Sequence, residues 1–285
     1  MHQISKIPNL KQFINQCKSQ GQRIGLVPTM GYFHSGHLAL MQAMRKQADV
    51  VIVSLFVNPA QFGPQEDFAT YPRDLERDLA LAQAQGVDVV FTPAVEDVYL
   101  NNHLTYVEVG KLSNCLCGKS RPGFFRGVCT IVLKLFNLCQ PDLAIFGQKD
   151  WQQLVIIKQM VRDLNIPVKI IDHPIVREPD GLAMSSRNAY LNPEQRKEAA
   201  NIYQGLCLAK KLIAKGTTEV VALKNRLLDF YFRNIPRGKL DYLEVVHPET
   251  LEPLTEIKER ALIAVAMFIG KARLIDNLLV EVTNV

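Results

Sequence analysis

The chain has 285 residues, more than one compact core usually needs, so one large domain and one smaller domain are expected. Hydrophobic residues make up 48% and charged residues 21%, which excludes a disordered chain and is ordinary for a soluble globular enzyme. The formal net charge is +5 and the basic residues are scattered, so the charge favours anionic small ligands and no nucleic-acid-binding face is expected.

Neither a targeting segment nor a membrane span is expected from the sequence. Residues 1–11 lack the apolar region of a signal peptide, and the longest apolar stretch, 261–269, is far shorter than the ~20 residues that cross a bilayer. The six cysteines have no zinc-binding spacing, so we expect reduced and buried thiols. A cytoplasmic protein without membrane or nucleic-acid partners is therefore predicted.

Strands alternate with helices through the first 171 residues. The periodicity predicts strands at 23–27, 50–56, 87–91, 143–146 and 168–171, and helices at 8–19, 36–46, 73–85, 126–138 and 151–164. Ser35 is expected to be the N-cap of the second helix. Strands rich in Val, Ile and Leu that are joined by helices are typical of an α/β fold, a Rossmann-like parallel sheet with helices on both faces.

The pattern changes after about residue 185. Helices are predicted at 193–215 and 219–233, and strands at 241–246, 261–269 and 272–280. Helices followed by strands that are adjacent in sequence indicate a smaller α+β C-terminal domain. We therefore expect one domain at residues 1–180 and a second at residues 181–285.

Two histidines follow the first predicted strand in the sequence His34-Ser35-Gly36-His37. The first turn of a helix exposes unpaired N–H groups and a partial positive charge, so it binds phosphate well. His34 and His37 are expected to project from one face of that turn, where imidazoles donate hydrogen bonds to phosphate oxygens. Open α/β sheets bind ligands beyond the carboxyl ends of their strands, so this segment is predicted to bind phosphate.

Two further segments have the composition of phosphate-binding elements. Gly147-Gln148-Lys149-Asp150 lies between a predicted strand and a predicted helix, and Lys149 would supply a positive charge. Asp150 is expected either to cap the helix or to bind ribose or metal. Met184-Ser185-Ser186-Arg187 places two hydroxyls and a guanidinium in succession, which suits a chain of phosphates.

These elements occur together with several others in one order along the chain. They read P-T-M-G-Y-F-H-S-G-H at 28–37, F-V-N-P-A-Q-F at 56–62, Y-P-R at 71–73, R-P-G at 121–123, G-Q-K-D-W-Q-Q at 147–153 and D-G-L-A-M-S-S-R-N at 180–188. In combination they resemble the pantothenate synthetase (pantoate–β-alanine ligase) family of the nucleotidylyltransferase superfamily. The resemblance implies an ATP-dependent ligase that condenses (R)-pantoate with β-alanine through a pantoyl-adenylate and releases AMP and pyrophosphate.

The resemblance also implies roles for individual residues. His37 would be the proton donor, and His34 and Lys149 would act with it in catalysis. The residues expected to bind ATP are Met30, Gly31, Tyr32, Phe33, His34, Ser35, Gly36, His37, Gly147, Gln148, Lys149, Asp150, Val176, Met184, Ser185, Ser186 and Arg187. The residues expected to line the pantoate pocket are Gln61, Gln153, Asn58 and Tyr71. The first domain would bind ATP and pantoate, and the second would act as a lid.

The resemblance sets expectations for partners and has one departure. ATP would act as its Mg²⁺ complex, with Mg²⁺ held largely by the phosphates, so neither a protein metal site nor a tightly bound organic cofactor is expected. A homodimer is expected from the family. Phe124 stands where the family usually has His, so no polar role is carried over to that position. Arg121 and Arg126 are candidates to serve there instead.

Two other functions agree with parts of the sequence. A nucleotidylyltransferase whose product keeps the nucleotide fits the two histidines and the Ser-Ser-Arg segment, but it leaves the motifs at 56–62 and 147–153 unexplained. A catalytically silent ATP-binding protein is favoured only by Phe124. The retention of His34, His37 and Lys149 argues against it.

Overall fold

The computed structural model of the chain describes residues 1–64 and 66–282. The chain divides into two compact units. The first consists of Met1–Asn114, Arg121–Gln148 and Gln153–Pro174, and the second of Cys115–Ser120, Lys149–Gln152 and the chain from Ile175 onward. Two short segments therefore belong to the second unit although they lie within the first in sequence. The domain boundary after residue 180 and the lid role of the second domain stay predictions.

The first unit is built on a six-stranded parallel sheet, which confirms the α/β prediction. Its strands are β1 (His2–Ile4), β2 (Ile24–Thr29), β3 (Val50–Leu55), β4 (Val89–Phe91), β5 (Leu143–Gly147) and β6 (Lys169–His173), in the order β1-β4-β3-β2-β5-β6. The helices over the same part of the chain are α1 (Ile7–Ser19), α2 (Ser35–Arg45), α3 (Leu75–Ala84), α4 (Val95–Val98), α5 (Leu116–Ser120), α6 (Phe124–Cys139) and α7 (Trp151–Asp163). Helix α5 and the first residues of α7 belong to the second unit.

The strand β2 lies at the point where the strand order reverses. It pairs with β3 on one side, with Thr29 beside Leu55, and with β5 on the other. In open parallel sheets a crevice forms beyond the carboxyl ends of the strands at such a point. A Cβ at Gly25 would lie 2.3 Å from the Met44 sulfur, so this glycine lets α2 pack directly on β2. The end of α2 is thereby held against the start of β2, and the start of α2 follows the carboxyl end of the same strand.

From Ile175 onward, the described part of the second unit contains an antiparallel sheet and the three α-helices α8 to α10, which confirms the expected α+β class. The strands β7 (Gly238–Val246), β8 (Arg260–Ile269) and β9 (Ala272–Glu281) pair in sequence order. The helices are α8 (Pro193–Ala199), α9 (Asn201–Ala214) and α10 (Val220–Asn234). The core of this unit includes Leu206 of α9, Leu223 of α10 and Ile263 of β8, each fully buried.

Three local expectations differ from the structure. The helix predicted at 193–215 is two helices that meet at Ala200, which keeps helical dihedral angles (φ −60°, ψ −26°), so the path of the chain stays helical. The prediction that Ser35 caps α2 was wrong, because His34 is the N-cap and its imidazole accepts the backbone hydrogen bond. The strand β1 was not predicted, since three residues are too few to show an alternating pattern.

The cysteines are all free thiols. Cys17, Cys117, Cys129 and Cys139 are buried, while Cys115 and Cys207 are partly buried. Burial raises the pKa of the Cys139 thiol to about 12, so this side chain stays protonated at neutral pH and behaves as a small hydrophobe. In the part of the chain that the structure describes, no helix combines the length and the apolar character needed to span a bilayer.

Candidate active site

The segment after β2 makes a tight turn before α2 begins. Gly31 (φ 85°) and Tyr32 (φ 51°) both have left-handed backbone conformations, which glycine adopts freely and tyrosine only at a cost. A Cβ at position 31 would also lie 3.1 Å from both the Asp78 carboxylate and the Leu55 side chain. Glycine is therefore favoured at this position by its conformation and by the space around it.

A buried carboxylate holds this turn in place. Asp78, on α3, accepts hydrogen bonds from the backbone N–H groups of Tyr32 at 2.6 Å and Phe33 at 2.7 Å. The Asp78 side chain is 1% exposed, and burial raises its pKa against the lowering effect of these two hydrogen bonds and of Arg77. Hydrogen bonds to an ionised acceptor are about twice as strong as neutral ones, so Asp78 offsets the strain at Tyr32.

The two histidines form a reciprocal cap at the start of α2. The Nδ1 atom of His34 accepts from the Gly36 N–H at 3.1 Å, and the Nδ1 atom of His37 accepts from the His34 N–H at 3.4 Å. The two rings stack with their centroids 4.1 Å apart. A neutral imidazole that accepts at Nδ1 carries its proton at Nε2. The cap therefore selects the tautomer in which each Nε2–H is a hydrogen-bond donor.

We expect the Asp78→Asn variant to stay folded and to lose activity. Asparagine has one acceptor oxygen, so its amide N–H₂ would face one of the two backbone donors, at a cost of about 1–3 kcal/mol. The turn and the histidine cap would shift, and kcat should fall on the order of tenfold or more in steady-state assays. The control is Asp74→Asn, since Asp74 caps the same helix by accepting from the Arg77 N–H at 3.2 Å. A wild-type kcat for Asp78→Asn would contradict the positioning role.

A second predicted element is the turn that contains Gln61, and Asn58 organises it. Asn58 is fully buried, and its Oδ1 accepts from the Ala60 N–H at 3.2 Å and from the Tyr99 hydroxyl at 2.9 Å. Its Nδ2 donates to Gln61 Oε1 at 3.0 Å and to the Gly127 carbonyl at 3.1 Å. Both ends of the Asn58 amide are thus used inside the protein. Because Gln61 Oε1 faces Asn58, the Gln61 amide offers its Nε2–H donors on the other side.

The helix α6 packs against this turn without a side chain in between. A Cβ at Gly127 would lie 2.1 Å from the Ala60 carbonyl oxygen and 3.1 Å from the Gln61 nitrogen. Contacts this short do not occur between real atoms, so only glycine fits. Gly127 therefore fixes where the backbone of Gln61 lies.

Phe124 has a packing role at the position where the sequence departs from the family that it resembles. The guanidinium carbon of Arg121 lies 3.7 Å from the centre of the Phe124 ring, a cation–π contact. Arg121 also donates to Glu66 at 2.7 Å and to the Gln61 carbonyl at 2.9 Å. The phenyl ring therefore supports an arginine that holds the backbone of Gln61.

Other predicted residues of the first unit lie in several elements of the fold. Tyr71 is buried and packs edge-on against Phe62, with ring centroids 5.7 Å apart. Gly147 ends β5, and the Gln148 amide donates to Asp172 at 3.0 Å. Gln153 is partly exposed on α7. The Phe33 side chain lies in the core. The roles given to these residues stay predictions.

Lys149 lies in the second unit at the start of α7. A 3₁₀ turn, Gln148–Asp150, leads into the helix, and Asp150 is exposed. The backbone carbonyl of Lys149 accepts a hydrogen bond from the Asn277 amide at 2.9 Å. This hydrogen bond therefore holds the backbone of Lys149 and not its side chain.

The predicted residues 176 and 184–187 are joined by a hairpin of the second unit. The Met184 N–H donates to the Val176 carbonyl at 3.0 Å, which closes the hairpin. Ser185 then caps the 3₁₀ turn Ser186–Tyr190 by accepting from the Arg187 N–H at 3.3 Å. The serine and arginine side chains are thus placed on a short, regular element.

Three residues that support these turns were not predicted from the sequence. Asp78 had a weak signal, because a carboxylate in an amphipathic helix can be a surface residue as easily as a buried one. Gly127 had a stronger one, since a glycine inside a helical pattern usually marks close packing. Tyr99 follows a helix of only four residues and had no signal.

Comparison with known proteins gave consistent matches over nearly the whole chain. A model of the pantoate-β-alanine ligase family matches residues 2–279. The pantothenate synthetase of Maridesulfovibrio salexigens is 54% identical over 282 residues, which is 99% of this chain and 100% of the relative.

Solved structures gave the same match. That of pantothenate synthetase from Thermus thermophilus has a TM-score of 0.92 and 46% identity, over 98% of this chain and 99% of that one. The structure of pantoate-β-alanine ligase from Francisella tularensis, complexed with β-γ ATP and β-alanine, has a TM-score of 0.80 and 37% identity. It covers 98% of this chain and 97% of that one.

Proposed function

The chain belongs to the pantoate–β-alanine ligase family, and on this premise we propose that it condenses (R)-pantoate with β-alanine through a pantoyl-adenylate. The observation that carries the proposal is the histidine cap of α2, in which both Nδ1 atoms accept from the backbone. It places two Nε2–H donors at a helix N-terminus, where the partial positive charge favours phosphate.

In the proposed first step the pantoate carboxylate is activated. A carboxylate oxygen attacks the α-phosphorus of ATP, the bond from that phosphorus to the bridging oxygen breaks, and pyrophosphate leaves. The reaction needs little covalent chemistry from the protein, so positioning and neutralisation of charge dominate. The Nε2–H groups of His34 and His37 would donate hydrogen bonds to phosphate oxygens, and Lys149 would neutralise charge on the leaving pyrophosphate.

In the proposed second step the acyl group passes to the amine. The neutral amino group of β-alanine attacks the acyl carbon, the bond from that carbon to the AMP oxygen breaks, and AMP leaves as the nitrogen loses a proton. AMP is a far better leaving group than the oxide that a free carboxylate would have to expel. The products are pantothenate and AMP.

The proposed ligand contacts follow the family resemblance. The residues proposed to bind ATP are 30–37, 147–150, 176 and 184–187, as the resemblance implies. Pantoate would be held by Gln61 and Gln153, with Asn58 and Tyr71 supporting that pocket. The fixed orientation of the Gln61 amide supports this role, because N–H donors suit a carboxylate or hydroxyl oxygen.

Mg²⁺ enters the proposal as part of the ATP substrate. Within residues 1–64 and 66–282, no group of three or more His, Cys, Asp and Glu side chains is arranged to hold a metal ion. Mg²⁺ commonly keeps several waters and binds substrate phosphates. We propose MgATP as the form of the substrate that binds.

The assembly and location are proposed from the family and the surface. We propose a cytoplasmic homodimer. Leu100, Leu104 and Tyr106 are exposed at 64%, 88% and 50% within seven residues of each other, which supports a partner surface on the first unit.

Isotope exchange between pyrophosphate and ATP tests the proposed route. With Mg²⁺ and labelled pyrophosphate, label should enter ATP when pantoate is added and β-alanine is absent, because adenylate formation is reversible. Adding β-alanine should then release AMP and pantothenate in equal amounts. Exchange that does not need pantoate, or a product that retains the adenylyl group, would instead identify a nucleotidylyltransferase.

A further inference from the structure

The strand β9 buries two polar residues in succession. Asp276 and Asn277 are 3% and 5% exposed, although successive side chains of a strand point to opposite faces. Burial of a carboxylate or an amide is unfavourable unless hydrogen-bond partners are present on each face. The partners of these two side chains therefore identify what the strand holds.

Asp276 binds Arg177, which lies at the base of the hairpin that leads to Met184. Its two oxygens accept from the two terminal nitrogens of Arg177, at 2.6 Å and 2.9 Å. The same guanidinium donates to the Gly181 carbonyl at 3.0 Å and lies 3.8 Å from the centre of the Tyr203 ring. Burial raises the pKa of Asp276, and Arg177 and Lys149 act to lower it.

The hairpin itself has little freedom to move independently. Arg177 pairs with Ala183 across it, and the Glu178 N–H donates to the Leu182 carbonyl at 2.8 Å. Gly181 has φ 95°, and a Cβ there would lie 2.3 Å from the Tyr203 ring. A restraint on Arg177 is therefore a restraint on the segment that begins at Met184.

Asn277 holds the other predicted phosphate-binding element. Its Nδ2 donates to the Lys149 carbonyl at 2.9 Å, and its backbone N–H donates to Asp276 Oδ1 at 2.8 Å. The Asp276 carboxylate is thus bonded to the backbone of Asn277 as well as to Arg177. One dipeptide of β9 sets the backbone at Lys149 and the base of the 176–184 hairpin.

We infer that Asp276 and Asn277 are positioning residues of the ATP site, which keep Lys149 and the Met184–Arg187 segment in one fixed arrangement within the second unit. The inference rests on the proposed binding of ATP by these two elements. Neither residue is expected to touch the reacting atoms, so its loss should change how ATP is used more than how pantoate binds.

Three variants and one control test this inference. Asn277→Ala removes the hydrogen bond to Lys149, Asp276→Asn removes the charge that pairs with Arg177, and Arg177→Lys is a milder change that loses the two-point contact. The control is Glu244→Gln, which removes an ion pair with Lys224, 2.9 Å long, from strand β7 at the other edge of the same sheet. Kinetic constants for ATP and pantoate are measured with the thermal unfolding temperature of each variant.

A second readout does not depend on activity. Trp151 is the only tryptophan of the chain and lies two residues after Lys149. Its indole N–H donates to the Pro248 carbonyl at 2.8 Å within the second unit. Acrylamide quenching of its fluorescence, in protein without ligands, reports whether the segment that contains Lys149 is held.

The expected result separates the three variants from the control. In Asn277→Ala, Asp276→Asn and Arg177→Lys, kcat/KM for ATP should fall up to about 100-fold, while the KM for pantoate stays within about twofold. Asn277→Ala should also increase quenching of Trp151, and Glu244→Gln should change neither quantity. If Asn277→Ala and Arg177→Lys match Glu244→Gln in both readouts, the inference is wrong.

The two proposals fail in distinguishable ways. If the wild-type protein shows no pantoate-dependent exchange of pyrophosphate, the proposed function fails. Trp151 quenching still decides the holding role of Asn277 in that case. Increased quenching in Asn277→Ala supports it, and unchanged quenching overturns it.

Discussion

Replacing Lys149 with alanine is expected to lower the rate of pyrophosphate exchange on the order of 10²–10³-fold or more, with the fold intact. The ammonium group would neutralise charge that develops on the leaving pyrophosphate, and a preorganised group of this kind acts mainly in the transition state. The fold should survive because the Lys149 backbone, and not its side chain, makes the hydrogen bond to Asn277. Exchange rates at saturating ATP and pantoate, with circular dichroism of both proteins, measure this effect.

The matched control for Lys149 is another lysine of the same helical region. Lys158, on α7, pairs with Asp172 at 3.1 Å and is 45% exposed. Surface ion pairs of this kind are worth about 0–1 kcal/mol, so Lys158→Ala should keep the wild-type exchange rate. A Lys149→Ala protein that exchanges pyrophosphate as fast as Lys158→Ala would exclude Lys149 from the mechanism.

The Gly127→Ala variant is expected to raise the KM for pantoate and to lower kcat. Its new methyl group would start 2.1 Å from the Ala60 carbonyl oxygen, so either α6 or the turn that contains Gln61 must move. Overpacking of this kind costs about 1–3 kcal/mol of stability. A displacement of about 1 Å at a substrate-positioning residue lowers the rate by up to about 10²-fold. Steady-state kinetics with varied pantoate, and chemical unfolding, measure the two effects separately.

A second glycine of the same unit provides the control. A Cβ at Gly110 would have no atom within 4 Å, so Gly110→Ala makes the same chemical change without a clash. It should leave the KM for pantoate unchanged. If Gly127→Ala has the same KM as Gly110→Ala, the close packing of α6 is not what places Gln61.

The fold class and the position of His34 and His37 at the start of a helix could be predicted because their signals are local. Buried strands rich in branched residues alternate with amphipathic helices, and two histidines directly follow a strand. The residue that caps α2 could not be predicted in this way. Serine is the commoner N-cap, and nothing in the sequence indicates that an imidazole Nδ1 accepts the Gly36 N–H instead.

The supporting residues could not be predicted because their contacts join distant parts of the chain. Asp78 is 46 residues from Tyr32 in sequence, and Asn58 is 69 residues from Gly127. Residues 115–120 and 149–152 likewise belong to the second unit through contacts with later residues, such as that between Lys149 and Asn277. Periodicity reports which face of an element is buried, but it does not report which other element covers that face.

The amide network around Asn58 has a consequence for selectivity among substrate analogues. Because Gln61 Oε1 already accepts from Asn58, the Gln61 amide cannot turn over without breaking that hydrogen bond. With Gln61 binding pantoate as proposed, the pocket favours ligand oxygens that accept hydrogen bonds and disfavours ligand groups that donate them. An analogue with a methylene in place of the matching oxygen would leave sequestered N–H groups unsatisfied, and such a mismatch discriminates more strongly than a change in size.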